Sequence, residues 1–248
     1  MVHGLAEAAQ AARPLAPWNS DESSAATLSR LESEHCMSEI IAGVEIPETS
    51  TVVEATRYIR EATNPLLFHH SRRVFLFSSI RARMLGLDPD PELLYVAALF
   101  HDLGLLSPFS EAVQRFEIDG ADHARAFLVE RGFSSRAVDV VWNAIALHTT
   151  PGIPGRMGPE IAATNLGVLT DAIGLGLDRL DPALIDEIIA AHPRGDFKNE
   201  FLQMFYEGLK NRPETTYGTV NADVLEHFVP DFRRTSMVER VLASPWPA

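Results

Sequence analysis

Apolar and polar residues follow a helical pattern over most of the chain after about residue 50. Apolar positions recur every three or four residues, which places them on one face of a helix. Proline at 65 suits the first turn of a helix, and glycine at 86 suits the position just after its end. Helices are predicted over 51–63, 65–86, 90–104, 120–132, 134–148, 159–174, from 181 onwards, and over 197–210 and 220–228. Because alternating strand-like runs are scarce, we expect an all-α fold without internal repeats.

The first 36 residues lack this pattern. They are rich in Ala, Ser and Glu, and Pro14, Pro17 and the polar run 19–24 interrupt any periodicity. Such a composition predicts a loose N-terminal tail, and Met37 offers an alternative start. We therefore expect a tail over 1–36 and a single helical domain over 37–248.

Charge and composition narrow the class of partner. The chain has 248 residues, enough to bury a sizeable core, and a formal net charge of −13. An acidic surface repels phosphate backbones, so we expect no nucleic-acid partner, whereas a cleft of different local charge is compatible with a small anionic substrate. The expected partner is a small molecule, and a homo-oligomer stays open.

Targeting signals are not evident in the sequence. Cys36 is the single cysteine, which fits a reducing compartment because one thiol cannot form an internal disulfide. The N-terminus has no basic start followed by an apolar stretch, and no apolar run reaches about 18 residues. We expect a cytoplasmic protein without a membrane partner.

The candidate chemistry centres on His101 and Asp102, which end the apolar run 93–100. Neighbouring helical residues point about 100° apart, yet both side chains can reach a metal ion that lies in the groove between their directions. Gly104 then lets the backbone turn away and leaves room for solvent. A single His-Asp dipeptide usually occurs by chance, so a metal site requires further ligands from elsewhere in the chain.

His70 and Asp171 supply two further candidate ligands from other helices. Each has apolar residues three or four positions away, so each is expected on a buried face. A buried carboxylate is costly, and a bound metal offsets that cost and lowers the pKa of the group. The four residues predict one divalent transition metal, Zn²⁺, Fe²⁺ or Mn²⁺, within a core at about 65–175. His69 points about 100° away from His70 and is not expected to bind the metal.

These residues resemble a known family. His70-Ser71-Arg72-Arg73-Val74, His101-Asp102 and Asp171 resemble the HD superfamily of metal-dependent phosphohydrolases. The segments 116–121 (FEIDGA), 146–150 (ALHTT) and 215–218 (TTYG) resemble the bacterial branch of the cyanamide hydratase-like HD proteins. The resemblance runs from about 37 to 247. It implies an HD-domain helical bundle with extra C-terminal helices, and it implies that His70, His101, Asp102 and Asp171 are metal ligands.

Four residues near these motifs are candidates for other roles. His148 ends a helix before a Gly/Pro-rich loop and could be a further ligand, a proton-transfer group or a cation at a helix C-terminus. Glu117 could act as a general base or cap a helix. Arg73 could bind a phosphate bidentately or form a structural ion pair. Thr149, beside His148, is a candidate substrate contact.

The predicted activity is attack of metal-activated water on a small electrophile. On a nitrile-type or cyanamide-like carbon the reaction is hydration to an amide or urea, and on phosphorus it is hydrolysis of a phosphate ester or nucleotide. Few Lys or Arg residues cluster near the motifs, which favours a small neutral substrate. A non-catalytic, ligand-binding HD domain is the third alternative, and the intact set of four ligands argues against it.

Overall fold

A computed structural model describes residues 39–246, so the predicted tail over 1–36 lies outside the described residues. Within that range the chain forms ten α-helices, and the all-α prediction is confirmed. The helices are α1 (Ser50–Ala62), α2 (Pro65–Met84), α3 (Pro91–Phe100), α4 (Phe116–Glu130), α5 (Ser135–Ala146), α6 (Pro159–Ile173), α7 (Pro182–Ala191), α8 (Phe197–Leu209), α9 (Ala222–Phe228) and α10 (Met237–Leu242). A small antiparallel hairpin of β1 (Ile40–Ile41) and β2 (Val44–Glu45), which the sequence pattern did not predict, precedes α1.

Local side-chain chemistry sets where these helices begin. Several N-cap side chains accept hydrogen bonds from first-turn amides, which otherwise lack partners: Thr49, Asn64, Asp90, Ser134 and Asp181. Proline follows three of these caps, where its missing amide hydrogen costs nothing. Gly174 ends α6 in the left-handed conformation, with a φ of 73°.

Two helix boundaries near the candidate metal ligands differ from the predicted ones. Helix α3 ends at Phe100 rather than near Gly104, because the chain tightens into a 3-10 turn over Leu103–Leu105. Helix α4 begins at Phe116, four residues before the predicted start at Gly120. Glycine at 120 serves a close approach, since a Cβ there would lie 2.8 Å from the carbonyl oxygen of Phe100. Glu117 consequently lies in the first turn of α4, where the helix dipole favours a carboxylate.

The buried apolar residues form two clusters. The main core cluster gathers residues from α1 to α7 around α3, whose residues from Leu93 to Phe100 are all buried. The smaller core cluster joins α8 and α9 to the rest of the domain and comprises Leu67, Leu105, Phe116, Met204, Phe205, Leu209 and Leu225. Helices α2 and α4 contribute residues to both clusters, so the candidate site residues on these two helices lie where the clusters meet.

None of the helices described is both long and apolar enough to cross a membrane.

Candidate metal centre

Three of the predicted ligands meet between α2 and the end of α3. The Nε2 atoms of His70 and His101 lie 3.2 Å apart. Asp102 Oδ2 lies 3.1 Å from Nε2 of His101 and 3.5 Å from Nε2 of His70. All three side chains are buried. Among the described residues, these three form the group whose ligand atoms lie within 4.8 Å of one another, close enough to share one metal ion.

The hydrogen bonds of the His70 and His101 rings determine which ring nitrogen is available to bind a metal. Nδ1 of His70 lies 2.6 Å from Asp171 Oδ2, and Nδ1 of His101 lies 2.8 Å from the carbonyl oxygen of Ala98. Because a carbonyl or carboxylate oxygen only accepts, Nδ1 carries a proton in each ring, and a neutral ring then presents the lone pair of Nε2. Metal-binding histidines typically donate their second ring nitrogen to such an oxygen, which orients the ring.

The environment of the Asp102 carboxylate also indicates a metal site. Both of its oxygen atoms are buried without a hydrogen-bond partner among the described residues, although imidazole Nε2 atoms surround them. A carboxylate facing lone pairs leaves its charge uncompensated, which is costly in a buried position. Burial disfavours its ionised form, but a proton on a neighbouring imidazole Nε2 supplies the missing charge, and the histidines in that state hold the pKa of Asp102 well below its usual range. The group therefore attracts positive charge, and its two nitrogen and two oxygen donors fit a divalent transition metal.

His148 approaches this group from the other side of Asp102. Its Nε2 lies 3.4 Å from Asp102 Oδ1, and its ring centroid lies 4.9 Å from that of His101. Nδ1 donates to the carbonyl oxygen of Ile145 at 2.6 Å, so this third imidazole also directs a lone pair at the carboxylate. The geometry is compatible with a further ligand and with a proton acceptor beside the metal.

Asp171 is brought to His70, but to the nitrogen that faces away from Asp102. Its Oδ2 accepts from His70, and its Oδ1 accepts from Arg73 Nε at 2.8 Å and from Arg194 at 2.6 Å. Burial opposes ionisation, but His70 and Arg73 hold the pKa of Asp171 well below its usual range. This arrangement orients His70, and direct ligation by Asp171 stays a prediction.

Comparison with known families decides the affiliation of the chain. The model of the HD domain family matches residues 67–192, just over half of the 248 residues, and spans all four predicted ligands. The chain belongs to the HD-domain family. His101 and Asp102 lie within the matched segment as adjacent His and Asp residues, as the family name describes. A comparison with curated proteins found no match.

Arg73 of the HD domain lies in a structural ion pair. Its Nε and Nη2 donate to the two oxygens of Asp171, and its Nη1 donates to the carbonyl oxygens of His192 and Pro193 at 3.2 and 2.9 Å. The side chain is fully buried. These contacts favour the ion pair over a contact with substrate, which stays an untested prediction.

Glu117 of the HD domain is hydrogen-bonded to Thr149, the residue that follows His148. Buried Glu117 accepts through Oε1 from the Thr149 hydroxyl, from Asn221 Nδ2 at 2.9 Å and from Arg115 Nη2 at 2.8 Å. Burial would raise the pKa of Glu117, but its bonds with Arg115 lower it, so the group is anionic at neutral pH. These contacts occupy the carboxylate with structural donors. Its role as a general base stays a prediction.

A cavity of about 730 Å³ opens beyond Thr149. The segments 146–150 and 215–218, which resemble the same branch of HD proteins, both contribute to its wall through Thr149, Thr150, Thr216, Tyr217 and Gly218. Two motifs 65 or more residues apart in the chain therefore converge on one surface, next to His148 in sequence.

Sequence reasoning missed two residues of the HD domain, His192 and Arg194, that contact Asp171 or the arginine paired with it. His192 accepts from Arg72 Nε at 3.2 Å and shares a hydrogen bond with His69, while Arg194 binds Asp171. Burial, and then the Arg72 charge, lower the pKa of His192 to about 3. The run His192-Pro193-Arg194 just after a predicted helix was the available signal, but nothing local indicates that it folds back onto α2.

Proposed function

We propose that this HD domain is a metal-dependent enzyme that adds water to a small, uncharged electrophile of the nitrile or cyanamide type. The observation that carries the proposal is the buried Asp102 carboxylate, whose oxygens face the lone pairs of three imidazoles. That arrangement is costly without a cation and well suited to one. HD domains with an intact set of ligands are typically hydrolytic.

A divalent metal held by His70, His101 and Asp102 would supply hydroxide at neutral pH by lowering the pKa of bound water towards about 7. The side chains of the chain do the remaining work. Asp171 fixes the ring of His70, and Nε2 of His148 accepts a proton next to Asp102. Glu117 holds the Thr149 hydroxyl at the edge of the site through a hydrogen bond.

The surroundings of the site favour an uncharged substrate. Arg73 and Arg194, which lie beside the Asp171 partner of His70, are already paired with that carboxylate. Phenylalanine rings at 197 and 201 pack against His70, so the adjacent walls are apolar. An anionic substrate would have to give up hydration without gaining a free cation at these positions. The resemblance to cyanamide hydratase-like proteins supports the same substrate class.

Hydrolysis of a small phosphate ester is the second candidate. It is favoured by Arg115 and Arg233 on the wall of the cavity beyond Thr149, since guanidinium groups bind phosphate well.

The test combines metal analysis with a substrate screen. Protein grown with added Zn, Mn and Fe should carry about one metal ion per chain, as one three-residue ligand group predicts, and should hydrate cyanamide or a small nitrile but leave p-nitrophenyl phosphate intact. His148→Ala should lower kcat by about 100-fold or more with metal content unchanged, as expected for a proton-transfer group. The matched control is His123→Ala, a partly exposed histidine that packs on Phe109.

Each alternative has a distinct result. Hydrolysis of the phosphate ester alone would favour the second candidate. Loss of metal in His148→Ala would make that residue a ligand. Protein that binds metal but acts on none of these substrates would support the non-catalytic reading, and protein that binds no metal under any condition would overturn the site.

A further inference from the structure

Three phenylalanines form a stripe along one face of α8. Phe197, Phe201 and Phe205 are four residues apart, a spacing that stacks side chains on one side of a helix. Their ring centroids are 4.5 Å apart between Phe197 and Phe201 and 4.8 Å apart between Phe201 and Phe205. We call these three residues the aromatic stripe.

The aromatic stripe lies against the metal group. The ring of His70 is 5.1 Å from that of Phe197 and 4.9 Å from that of Phe201. Phe205 packs on Phe116 at 5.3 Å, and Phe116 in turn lies 5.6 Å from the ring of His148. The stripe therefore runs from His70 towards His148 and covers this side of the ligands.

Its two end rings are held firmly. Phe197 is 3% exposed and lies under the guanidinium groups of Arg73 and Arg194, at 5.2 and 4.3 Å, both of which bind Asp171. Phe205 is 9% exposed and belongs to the smaller core cluster. Cation–π contacts and core packing oppose movement of these two rings.

Phe201 differs from both. It is partly exposed, so one side of its ring contacts His70 while another part reaches solvent. Its neighbours in the stripe are both buried. Side chains with solvent contact change rotamer quickly, whereas those fixed in a core do not.

We propose that Phe201 is the gate of the metal site and sets the size of the molecules that reach it. His70 is completely buried, so a substrate or chelator must displace some side chain to reach the metal. Phe201 contacts His70 and is the partly exposed member of the stripe, so it lies between that ligand and solvent. The opening made by moving one ring suits narrow, unbranched, uncharged molecules. This size limit rests on the proposed function, whereas the gating itself does not.

Release of metal to a chelator tests the gate without any substrate. Zinc-loaded wild-type protein and Phe201→Ala are mixed with excess 4-(2-pyridylazo)resorcinol, and the absorbance of its zinc complex is followed. Loss of ring contacts of the size known for aromatic pairs should speed release about tenfold. The control is Leu202→Ala, the next residue on α8, which is 42% exposed and should release zinc at the wild-type rate.

Two further variants guard against a folding defect. Phe201→Leu keeps an apolar side chain and should release zinc at an intermediate rate, and Phe201→Trp should release it more slowly than wild type. If Phe201→Ala melts well below wild type, these two variants decide the question. Equal release rates in wild type, Leu and Trp variants would refute the gate.

The size limit is read from a series of nitriles of increasing chain length and branching. Phe201→Ala should accept branched nitriles that the wild-type protein rejects, so the ratio of its activity on branched nitriles to its activity on unbranched ones should rise. An unchanged size limit would refute this part of the inference. A wild-type protein that binds zinc but hydrates no nitrile would contradict the proposed function instead, and the zinc-release rates would still decide whether Phe201 is a gate.

Discussion

At the scale of single residues, we expect Asp102 to determine the affinity for metal and part of the free energy of unfolding. Asp102→Asn replaces a charge by an amide of the same shape. The amide can donate a hydrogen bond to an imidazole lone pair, which the carboxylate cannot. We expect the variant to lose its metal, and the metal-free variant to melt at or above the temperature of metal-free wild type.

Elemental analysis and thermal melting of both proteins, with and without added zinc, check this. Zinc should raise the melting temperature of wild type, because a ligand that binds only the folded state stabilises it, and should leave that of the variant unchanged. A variant that keeps one metal ion per chain would contradict the role of Asp102.

His192 should make the metal-free protein sensitive to mild acid. Its pKa is about 3 in the folded protein, below the usual value of about 6.5 for histidine, so between these two pH values the unfolded chain binds a proton that the folded one does not. The stabilisation is fully present above pH 6.5 and is lost progressively as the pH falls towards 3.

The loss of melting temperature between pH 7.5 and pH 5 should therefore be smaller in His192→Asn, whose side-chain oxygen can still accept from Arg72. His123→Asn serves as the control and should follow wild type. An identical pH dependence in wild type and His192→Asn would rule out this contribution.

The residue scale also shows what the sequence could predict about the site. Apolar neighbours were enough to place His70 and Asp171 on buried faces, and both are buried. The sequence could not show which nitrogen of His70 would face Asp171, because that depends on the rotation of α6 against α2. The partners of Arg73 depend on the same packing.

At the scale of elements, α2 and α6 pack closely because residue 167 is a glycine. A Cβ at Gly167 would overlap the hydroxyl of Ser78 and the carbonyl oxygen of Val74, and would lie 2.8 Å from the amide nitrogen of Ser78. Gly167→Ala should force the two helices apart and lower the free energy of unfolding by about 1–3 kcal/mol, the usual cost of overpacking.

Gly155→Ala is the matched control, since a Cβ there has open space within 4 Å. Denaturant unfolding of both variants measures the difference. Because α2 carries His70 and α6 carries Asp171, Gly167→Ala should also weaken zinc binding. Equal stability of the two variants would show that the helices adjust without cost.

Arg212 joins the end of α8 to the turn after Asp102. It donates to Asp119 Oδ2 at 2.5 Å, to the carbonyl oxygen of Gly104 at 2.6 Å and to those of Glu111 and Gln114. Both members of the ion pair are buried. Arg212→Met leaves Asp119 buried without its cation, and we expect a loss of about 3–5 kcal/mol, as for other broken buried pairs.

Chemical denaturation measures this loss, with the exposed Arg136→Met as the control. A loss below that of a surface substitution would mean that solvent or Gln114 compensates Asp119.

The sequence predicted the positions of the helices well, but it gave a wrong role to one glycine. Caps and prolines predicted most helix starts within a residue or two, as at Pro65, Ser135 and Pro159. Gly120 was interpreted as a helix start, whereas it lies inside α4 because the helix touches the backbone of Phe100. The sequence alone does not distinguish a glycine that lets two backbone segments approach closely from a glycine at a helix boundary.

At the scale of the whole molecule, fold class and family followed from the sequence, but the substrate did not. Helical periodicity and the residues His70, His101 and Asp102 suffice for an all-α domain with a candidate metal site. Under the proposed function, a substrate would be selected by side chains around the candidate metal site, such as Phe201, which the sequence marked only as part of an apolar stretch. The predicted ligands lie between residues 70 and 171, outside the predicted tail over 1–36.

The division of the apolar interior into two clusters has a consequence for hydrogen–deuterium exchange. The smaller core cluster, which holds α8 and α9 in place, contains far fewer buried residues than the main core cluster, so it should open as a separate cooperative unit at lower free energy. Backbone amides of α8 should then exchange through a partly unfolded state well before those of α3. In that state the candidate metal ligands, on α2 and directly after α3, should stay assembled while α8 detaches, so the protein would visit an open but intact site at equilibrium, without a ligand to induce it.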